Sequence, residues 1–80
     1  MYFSYVLEND SGNIYIGQTN NIPARLIRHN NNQVKSTKYK GPWKIIHSKN
    51  FATRQESIQY ETYLKSLKNP KYIKAVIIER

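Results

Sequence analysis

Arg25 and His29 lie four residues apart in a segment whose apolar spacing predicts a helix. Side chains at this spacing project from one helical face, one turn from each other, and are therefore neighbours. An arginine fork can hold phosphate oxygens, and an imidazole can orient a nucleophile or pass a proton near neutral pH. A surface arginine beside a hydrogen-bonded histidine would give the same spacing without any chemistry.

Glu61 lies on or beside the apolar stripe of a second predicted helix. Ile58, Leu64 and Leu67 mark that stripe, and Glu61 is three residues from each of the first two. Burying an unpaired charge is costly, so we expect Glu61 to face a cation or to coordinate a metal at the edge of the core. Lys65, one turn further, would be a purely structural partner.

Two tyrosines, Tyr5 and Tyr15, lie in a predicted β-hairpin. The segment MYFSYVLEND alternates apolar and aromatic residues, ENDSGN supplies a turn, and IYIGQT returns as a second strand. Phe3 shares the face of Tyr5, so we expect all three rings on one side of the sheet. Gly17, just after Tyr15, permits close approach of another backbone or of a ligand. Tyrosines in strands are usually packing residues, and that interpretation stays open.

Further elements complete the framework that would position these side chains. An asparagine cap and a proline in the first turn predict a helix over about 23–30, and WKIIHSKNF suits a third strand next to the hairpin. Thr53 and Glu56 form a capping-box pattern for a helix that runs to about Lys68, and Pro70 begins a shorter closing helix. The order ββαβαα predicts an α+β fold, in which helices flank a small three-stranded, mainly antiparallel sheet.

Positive charge is concentrated in the middle of the chain. The 80 residues carry a formal net charge of +8, and no acidic residue lies between Asp10 and Glu56. Such a one-sided block is expected of a surface that follows phosphates, although a solvated basic face would give the same pattern. The cations in the block are Arg25, Arg28, Lys35, Lys38, Lys40, Lys44, Lys49 and Arg54.

The segment NNNQVKSTKYKG, bounded by Gly-Pro, is polar and rich in lysine. It predicts an exposed basic loop whose backbone is not tied into the core. Cations and aromatic rings here could follow a nucleic-acid backbone and stack bases. The alternative is a flexible solubilising loop, and for Trp43 itself we favour burial. The predicted nucleic-acid contacts are Arg28, Lys35, Lys38, Tyr39, Lys40 and Lys44.

The composition excludes several classes of protein. Without cysteine there is no disulfide framework, no thiolate zinc site and no cysteine nucleophile. No stretch approaches the roughly 20 apolar residues of a membrane helix, and the first ten residues lack the basic flank of a signal peptide. We therefore expect one domain over residues 1–80, a cytoplasmic location and no membrane association.

The identity and order of these residues resemble those of the GIY-YIG nuclease family over nearly the whole chain. The compact form, with YIGQTNN, then GPW before a strand, is most similar to the small stand-alone group related to the amino-terminal nuclease domain of the excision-repair incision protein. In the first motif Phe3-Ser4-Tyr5 stands where the family has Gly-Ile-Tyr, so only the tyrosine is kept. The residues that carry the resemblance are Tyr5, Tyr15-Ile16-Gly17, Arg25, His29 and a helical Glu61 in ETYLK.

The resemblance implies a role for each of these side chains. Glu61 would bind one divalent metal ion, Mg²⁺ or Mn²⁺, which keeps waters and contacts the scissile phosphate. Arg25 would stabilise the charge that develops on that phosphate. His29 and the tyrosines would position and deprotonate the attacking water, with Tyr5 or Tyr15 as the base. The sequence does not decide which tyrosine this is.

The hypothesis that follows is a metal-dependent DNA endonuclease that hydrolyses phosphodiester bonds in repair, recombination or processing. A nucleic-acid-binding module without catalysis is the alternative, and a basic domain that binds an acidic protein is a third hypothesis. Single-stranded, duplex and branched DNA are all open as substrates. We expect site choice to come from the basic loop, from a protein partner or from self-association as a homodimer.

Overall fold

A central strand, β1 (Tyr2–Asn9), lies between two antiparallel neighbours in the computed structural model, which describes residues 1–78. β2 (Ile14–Thr19) pairs with one side of β1 and β3 (Trp43–Phe51) with the other, in the order β2-β1-β3. This sheet confirms the predicted hairpin and the predicted third strand.

Three helices flank the sheet and complete the predicted order ββαβαα. α1 (Ile22–Asn30) follows β2, and α2 (Arg54–Ser66) and α3 (Pro70–Ile78) follow β3. The last two residues of the predicted closing segment, 79 and 80, lie outside the described residues. No helix within residues 1–78 is long and apolar enough to cross a membrane.

Side-chain caps begin α1 and α2. Asn21 accepts a hydrogen bond from the backbone N–H of Ala24, which satisfies one of the free donors of the first turn. At α2 the Thr53 hydroxyl accepts from the Glu56 backbone, and the Glu56 carboxylate accepts from the Thr53 backbone. The capping box is therefore confirmed. The helix ends two residues before the predicted Lys68.

The apolar core has one layer on each face of the sheet. Tyr5, Leu7 and Trp43 are buried on the face that α1 covers. Because successive strand residues point to opposite faces, the intervening Val6 joins the other layer. That layer lies beneath α2 and α3 and contains Val6, Ile16, Leu64, Ile73 and Ile77.

The inward face of α2 differs from the predicted stripe. Leu64 is fully buried and Leu67 is partly buried, but Ile58 is 40% exposed, so its assignment to the buried stripe is wrong. Ser57 takes the buried position instead, because its carbonyl accepts a hydrogen bond of 2.7 Å from the buried hydroxyl of Ser4 on β1. One residue further along the helix, the Ile58 side chain is turned away from the sheet by about 100°.

The basic loop between α1 and β3 is tied to the core, and the prediction of an unattached backbone is wrong. It contains a short 3-10 helix, η1 (Lys35–Thr37), whose Thr37 is buried. The Trp43 indole donates to the Thr37 carbonyl (3.2 Å), and the Asn9 amide donates to the Lys40 carbonyl (2.9 Å). Buried polar side chains need hydrogen-bond partners, and here the loop supplies them. The expected burial of Trp43 is confirmed, since 5% of it is exposed.

Gly17 is the strand position that allows the two tyrosines to pack together. It lies directly opposite Tyr5, and Tyr15 lies diagonally, opposite Leu7. The two rings are therefore on one face, with centroids 6.2 Å apart. A Cβ atom at Gly17 would lie 2.7 Å from the Tyr5 hydroxyl and 2.9 Å from the Tyr15 ring, both closer than van der Waals contact permits.

Gly17→Ala is expected to lower the free energy of unfolding by about 1–3 kcal/mol, because the added methyl group must displace one of the tyrosine rings. Urea denaturation followed by circular dichroism measures this. Gly41→Ala is the matched control, since its Cβ would have no neighbour closer than 3.4 Å and should change stability by less than about 0.5 kcal/mol. Equal effects of the two substitutions would contradict the steric argument.

Candidate active site

A buried hydrogen bond joins Tyr5 on β1 to His29 on α1. The Tyr5 hydroxyl and the His29 Nε2 are 2.9 Å apart, and neither residue is more than 2% exposed. The Tyr15 ring lies against the imidazole, with centroids 4.8 Å apart. Three of the five predicted catalytic side chains therefore form one contact cluster, which confirms that Tyr5 and Tyr15 share a face of the sheet.

The hydrogen bonds of this cluster assign the protonation state of His29. Its Nδ1 is 2.8 Å from the Thr37 hydroxyl, and its Nε2 is 2.9 Å from the Tyr5 hydroxyl. A buried phenol needs an acceptor for its proton, and the Tyr5 hydroxyl contacts Nε2. We therefore assign Nε2 as the acceptor and Nδ1–H as the donor to Thr37.

The phenol of Tyr5 is held in its protonated form. Burial, as the main cause, raises the pKa of Tyr5 well above its ordinary value of 10.0, and the charges of Tyr15 and Glu61 act in the same direction. The positive charges of Arg25 and Arg28 oppose the rise. Arg25 and Glu61 thus both lie within electrostatic range of the cluster, although they come from helices on opposite faces of the sheet.

The imidazole of His29 is held neutral. Burial lowers the pKa of His29 below its ordinary 6.5, and the positive charges of Arg25 and Arg28, one turn and one residue away on the same helix, lower it further. A neutral imidazole can accept a proton, whereas an imidazolium cannot. The surroundings of His29 therefore favour the form that can act as a base or relay.

Tyr15 is the member of the cluster that reaches the surface. It is half-buried and lines a cleft of about 340 Å³, whose other walls include Thr37, Lys40 and Trp43. Within residues 1–78 no buried side-chain oxygen or nitrogen lacks a hydrogen-bond partner. Tyr15 is thus partly accessible, whereas Tyr5 is covered, and the other four predicted catalytic residues do not line this cleft.

Glu61 is paired with Lys65, as the structural interpretation of its position required. The Lys65 ammonium lies 2.6 Å from one carboxylate oxygen of Glu61, in an i,i+4 pair on α2. The Glu61 side chain is 18% exposed and that of Lys65 is 56% exposed. No group of three or more potential metal ligands occurs among the described residues, and the partner of Glu61 is a cation.

The predicted nucleic-acid contacts are at the surface but do not form one continuous loop. Tyr39 is 79% exposed, and the Lys38 ammonium lies over its ring at 5.1 Å from the centroid. Lys40 lines the cleft beside Tyr15. Lys44 belongs to β3, where it pairs opposite Glu8. The contacts that remain exposed on α1 and in the loop are Arg28, Lys35, Lys38, Tyr39 and Lys40.

Thr37 is the site residue that sequence reasoning missed. Its hydroxyl sets the His29 tautomer, yet it stands in a polar run where nothing in the spacing distinguishes it from its neighbours. Contact between the loop and α1 depends on tertiary packing, because eight residues separate the two side chains. Residue type alone offered one weak signal, since threonine is the only β-branched polar residue of that run.

Protein stability is expected to fall as pH decreases below about 6.5. The unfolded chain binds a proton at His29 near its ordinary pKa of 6.5, whereas the folded protein resists protonation because the folded-state pKa is lower. The contribution is fully present above pH 6.5 and is lost progressively below it. Urea denaturation between pH 7.5 and 5.5, above the titration range of most carboxylates (about pH 4), measures this slope.

His29→Gln should flatten this slope, and His47→Gln, which removes the other histidine, measures how much of the slope that histidine contributes. Nuclear magnetic resonance titration of the His29 ring gives its pKa directly. A value at or above 6.5 would contradict the assignment of a buried neutral imidazole.

Comparison with known proteins places this geometry in a family. The model of the GIY-YIG catalytic domain matches residues 1–73. A UPF0213 protein of Bacillus licheniformis is 39% identical over 67 residues, which cover 82% of this chain and 69% of that protein. A UPF0213 protein of Streptococcus pneumoniae is 38% identical over 69 residues, which cover 85% and 70%.

A solved structure is similar over most of its length. The solution structure of a UPF0213 protein from Bacillus halodurans superposes with a TM-score of 0.58 at 27% identity, covering 95% of this chain and 83% of that one. The motif order, the ββαβαα fold and the match of the family model over residues 1–73 agree with one another. The chain therefore belongs to the GIY-YIG family, a family of nuclease domains, and is similar to its small UPF0213 members.

Proposed function

We propose that the protein is a metal-dependent endonuclease that hydrolyses phosphodiester bonds in DNA. The observation that carries the proposal is the cluster of Tyr5, Tyr15 and His29, with Arg25 and Glu61 in electrostatic range. A phenol, a neutral imidazole, a guanidinium and a carboxylate supply a base, a proton relay, a phosphate ligand and a metal ligand. Repair, recombination and processing are the expected settings.

Glu61 is the residue that would hold the divalent ion. Mg²⁺ and Mn²⁺ are commonly bound through one or two carboxylates, with waters and substrate phosphates as the remaining ligands. Glu61 is a partly exposed carboxylate that pairs with Lys65 through one of its two oxygens, and such a group fits that donor set. The ion would polarise the scissile phosphate and neutralise the charge that develops on it.

Arg25 is proposed to bind the phosphate under attack. Its charge acts on both Tyr5 and His29, so its guanidinium lies close to the proposed reaction centre. Donors that are already oriented toward developing charge stabilise a transition state without further reorganisation. Arg25 has no acidic partner within ion-pair distance in the described part of the chain, and its donors are therefore available to a phosphate.

Tyr15 is proposed as the phenol that contacts the attacking water, with the Tyr5–His29–Thr37 chain as its support. A base must lie within hydrogen-bond reach of the water, and Tyr15 is the less covered of the two tyrosines. Tyr5 is covered and directs its proton to His29. In this arrangement His29 fixes the orientation of the Tyr5 ring. The rings of Tyr5 and His29 together fix the orientation of the Tyr15 ring.

Glu61→Gln and Arg25→Ala are each expected to reduce DNA cleavage at least about 100-fold, because the first removes the metal ligand and the second a phosphate donor. Tyr15→Phe should reduce it at least about tenfold. The measurement is the initial rate on a panel of labelled single-stranded, duplex and branched DNA in Mg²⁺ and Mn²⁺. Circular dichroism checks that each variant is folded.

Asp10→Asn is the matched control, since it also neutralises one carboxylate but lies in the exposed hairpin turn. It should cleave at the parental rate. Undiminished cleavage by both Glu61→Gln and Arg25→Ala would refute the proposed site.

The alternative is a nucleic-acid-binding module without catalysis, and one observation favours it. The ion pair with Lys65 occupies an oxygen of the carboxylate that a metal would need. If the pair is stronger than the metal bond, the positive surface binds DNA and nothing is cut. Salt-sensitive DNA binding without cleavage on any member of the panel would support this alternative.

Lys65→Met is expected to raise the affinity for Mn²⁺ by up to about fivefold, because an exposed i,i+4 ion pair contributes at most about 1 kcal/mol. Isothermal titration of Mn²⁺ in the absence of DNA measures this. Lys68→Met, which removes an exposed lysine just beyond the same helix, is the control and should leave the affinity unchanged. Equal affinities of the parent and Lys65→Met would show that the pair does not compete with the metal.

A further inference from the structure

A second positively charged cleft lies at the end of β2, separate from the cleft beside Tyr15. It measures about 260 Å³ and is formed where α1 and the start of α2 meet the sheet. Arg25 contributes one wall, and Arg54, the first residue of α2, contributes another. The lining residues are Tyr2, Gln18, Thr19, Asn20, Arg25 and Arg54.

The lining of this cleft is chemically one-sided. Two guanidinium groups, two side-chain amides and a phenol hydroxyl can donate hydrogen bonds, and no lining residue is acidic. Ion pairs within residues 1–78 involve lysines only, so Arg25 and Arg54 have no carboxylate partner there. The nearby Glu56 carboxylate accepts from the backbone and hydroxyl of Thr53.

Two unpaired guanidinium groups on one cleft repel each other, and an anion between them removes that repulsion. The planar fork of arginine matches the oxygens of a phosphate better than a lysine ammonium does. The amides of Gln18 and Asn20 add neutral donors, which suit a phosphodiester with a single negative charge. The chemistry therefore fits a phosphate group within a longer molecule.

Arg25 connects this cleft to the proposed reaction centre. It lines the cleft, and its charge also acts on Tyr5 and His29. A phosphate held in this cleft would consequently share Arg25 with the tyrosine and histidine cluster.

We propose that the cleft between Arg25 and Arg54 binds the phosphate next to the one that is cut, so that the protein holds at least two consecutive phosphates of one DNA strand. This inference rests on the proposed function, because it places the bound phosphate relative to the one that is cut at the proposed reaction centre. Arg54 is a binding residue here, and it makes a strand of nucleotides a better ligand than a mononucleotide.

The test measures DNA binding without cleavage, in the Glu61→Gln background. The probe is a fluorescein-labelled single-stranded DNA of about 12 nucleotides, whose affinity is followed by anisotropy between about 50 and 200 mM KCl. Arg54→Met should reduce the slope of log K against log salt by about 0.7, the value for one lost phosphate contact on a single strand. Lys71→Met, which removes an equal charge from an exposed position on α3, should leave the slope unchanged.

Two further measurements locate the contact. Neutral methylphosphonate groups, placed at one phosphate at a time, should weaken binding by the parent at the phosphate that Arg54 contacts, and Arg54→Met should lose its sensitivity at that phosphate alone. Thymidine 3′,5′-bisphosphate should compete with the probe more strongly than thymidine 5′-monophosphate, and Arg54→Met should abolish the difference. Arg54→Lys keeps the charge and should restore the salt slope.

An unchanged slope in Arg54→Met would overturn the inference, as would equal competition by the two nucleotides against the parent, which would indicate a site for a free phosphate. These outcomes are independent of the proposed cleavage. If Glu61→Gln abolishes cleavage but Arg54 does not affect binding, the subsite is wrong and the nuclease proposal stands. If nothing is cut but the slope falls, the cleft binds a backbone phosphate and its placement beside a cut phosphate is wrong.

Discussion

The hydrogen-bond chain from Tyr5 through His29 to Thr37 is the constraint on which the candidate site depends. It joins the central strand, the first helix and the basic loop through groups that are all buried. A buried polar group left unpaired costs about 1–3 kcal/mol, so each member holds the other two in place. Tyr15 packs against His29 of this chain and remains partly accessible. The same chain ties the loop, with its lysines, to the reacting groups.

The arginines near this buried hydrogen-bond chain are not neutralised by carboxylates of the described residues. The charge of Arg25 acts on the tyrosine and histidine cluster, and Arg25 shares a cleft with Arg54; neither arginine has a carboxylate partner among residues 1–78. Glu61 is a carboxylate whose charge acts on Tyr5, and it is paired with Lys65. Self-repulsion of this kind lowers stability, and a bound polyanion relieves it. The surplus of positive charge supports the proposal that this surface binds a strand of phosphates.

Local patterns predicted most of the fold, because strand alternation, caps and turns act over a few residues. The capping box at Thr53 and Glu56 and the turn before Ile14 are of this kind. The predictions were wrong where the burial of a side chain or the attachment of a loop depends on an element far away in the sequence. Ile58 is exposed because the sheet meets α2 at Ser57, and the basic loop is attached because Trp43 and Asn9 donate to its carbonyls. No periodicity within the helix or the loop contains that information.

The sequence by itself determined the family, the order of elements and the types of reacting group, since spacing on a strand or helix places side chains on a known face. It predicted Tyr5, Tyr15, Arg25, His29 and Glu61 as one site, and Arg25 and His29 as neighbours on one helix. Only the tertiary structure decided that Tyr5 is covered and Tyr15 open, that Thr37 orients His29, and that Arg25 and Arg54 line one cleft. Those facts depend on register and on packing between segments far apart in the chain, and both are set by burial of the whole core.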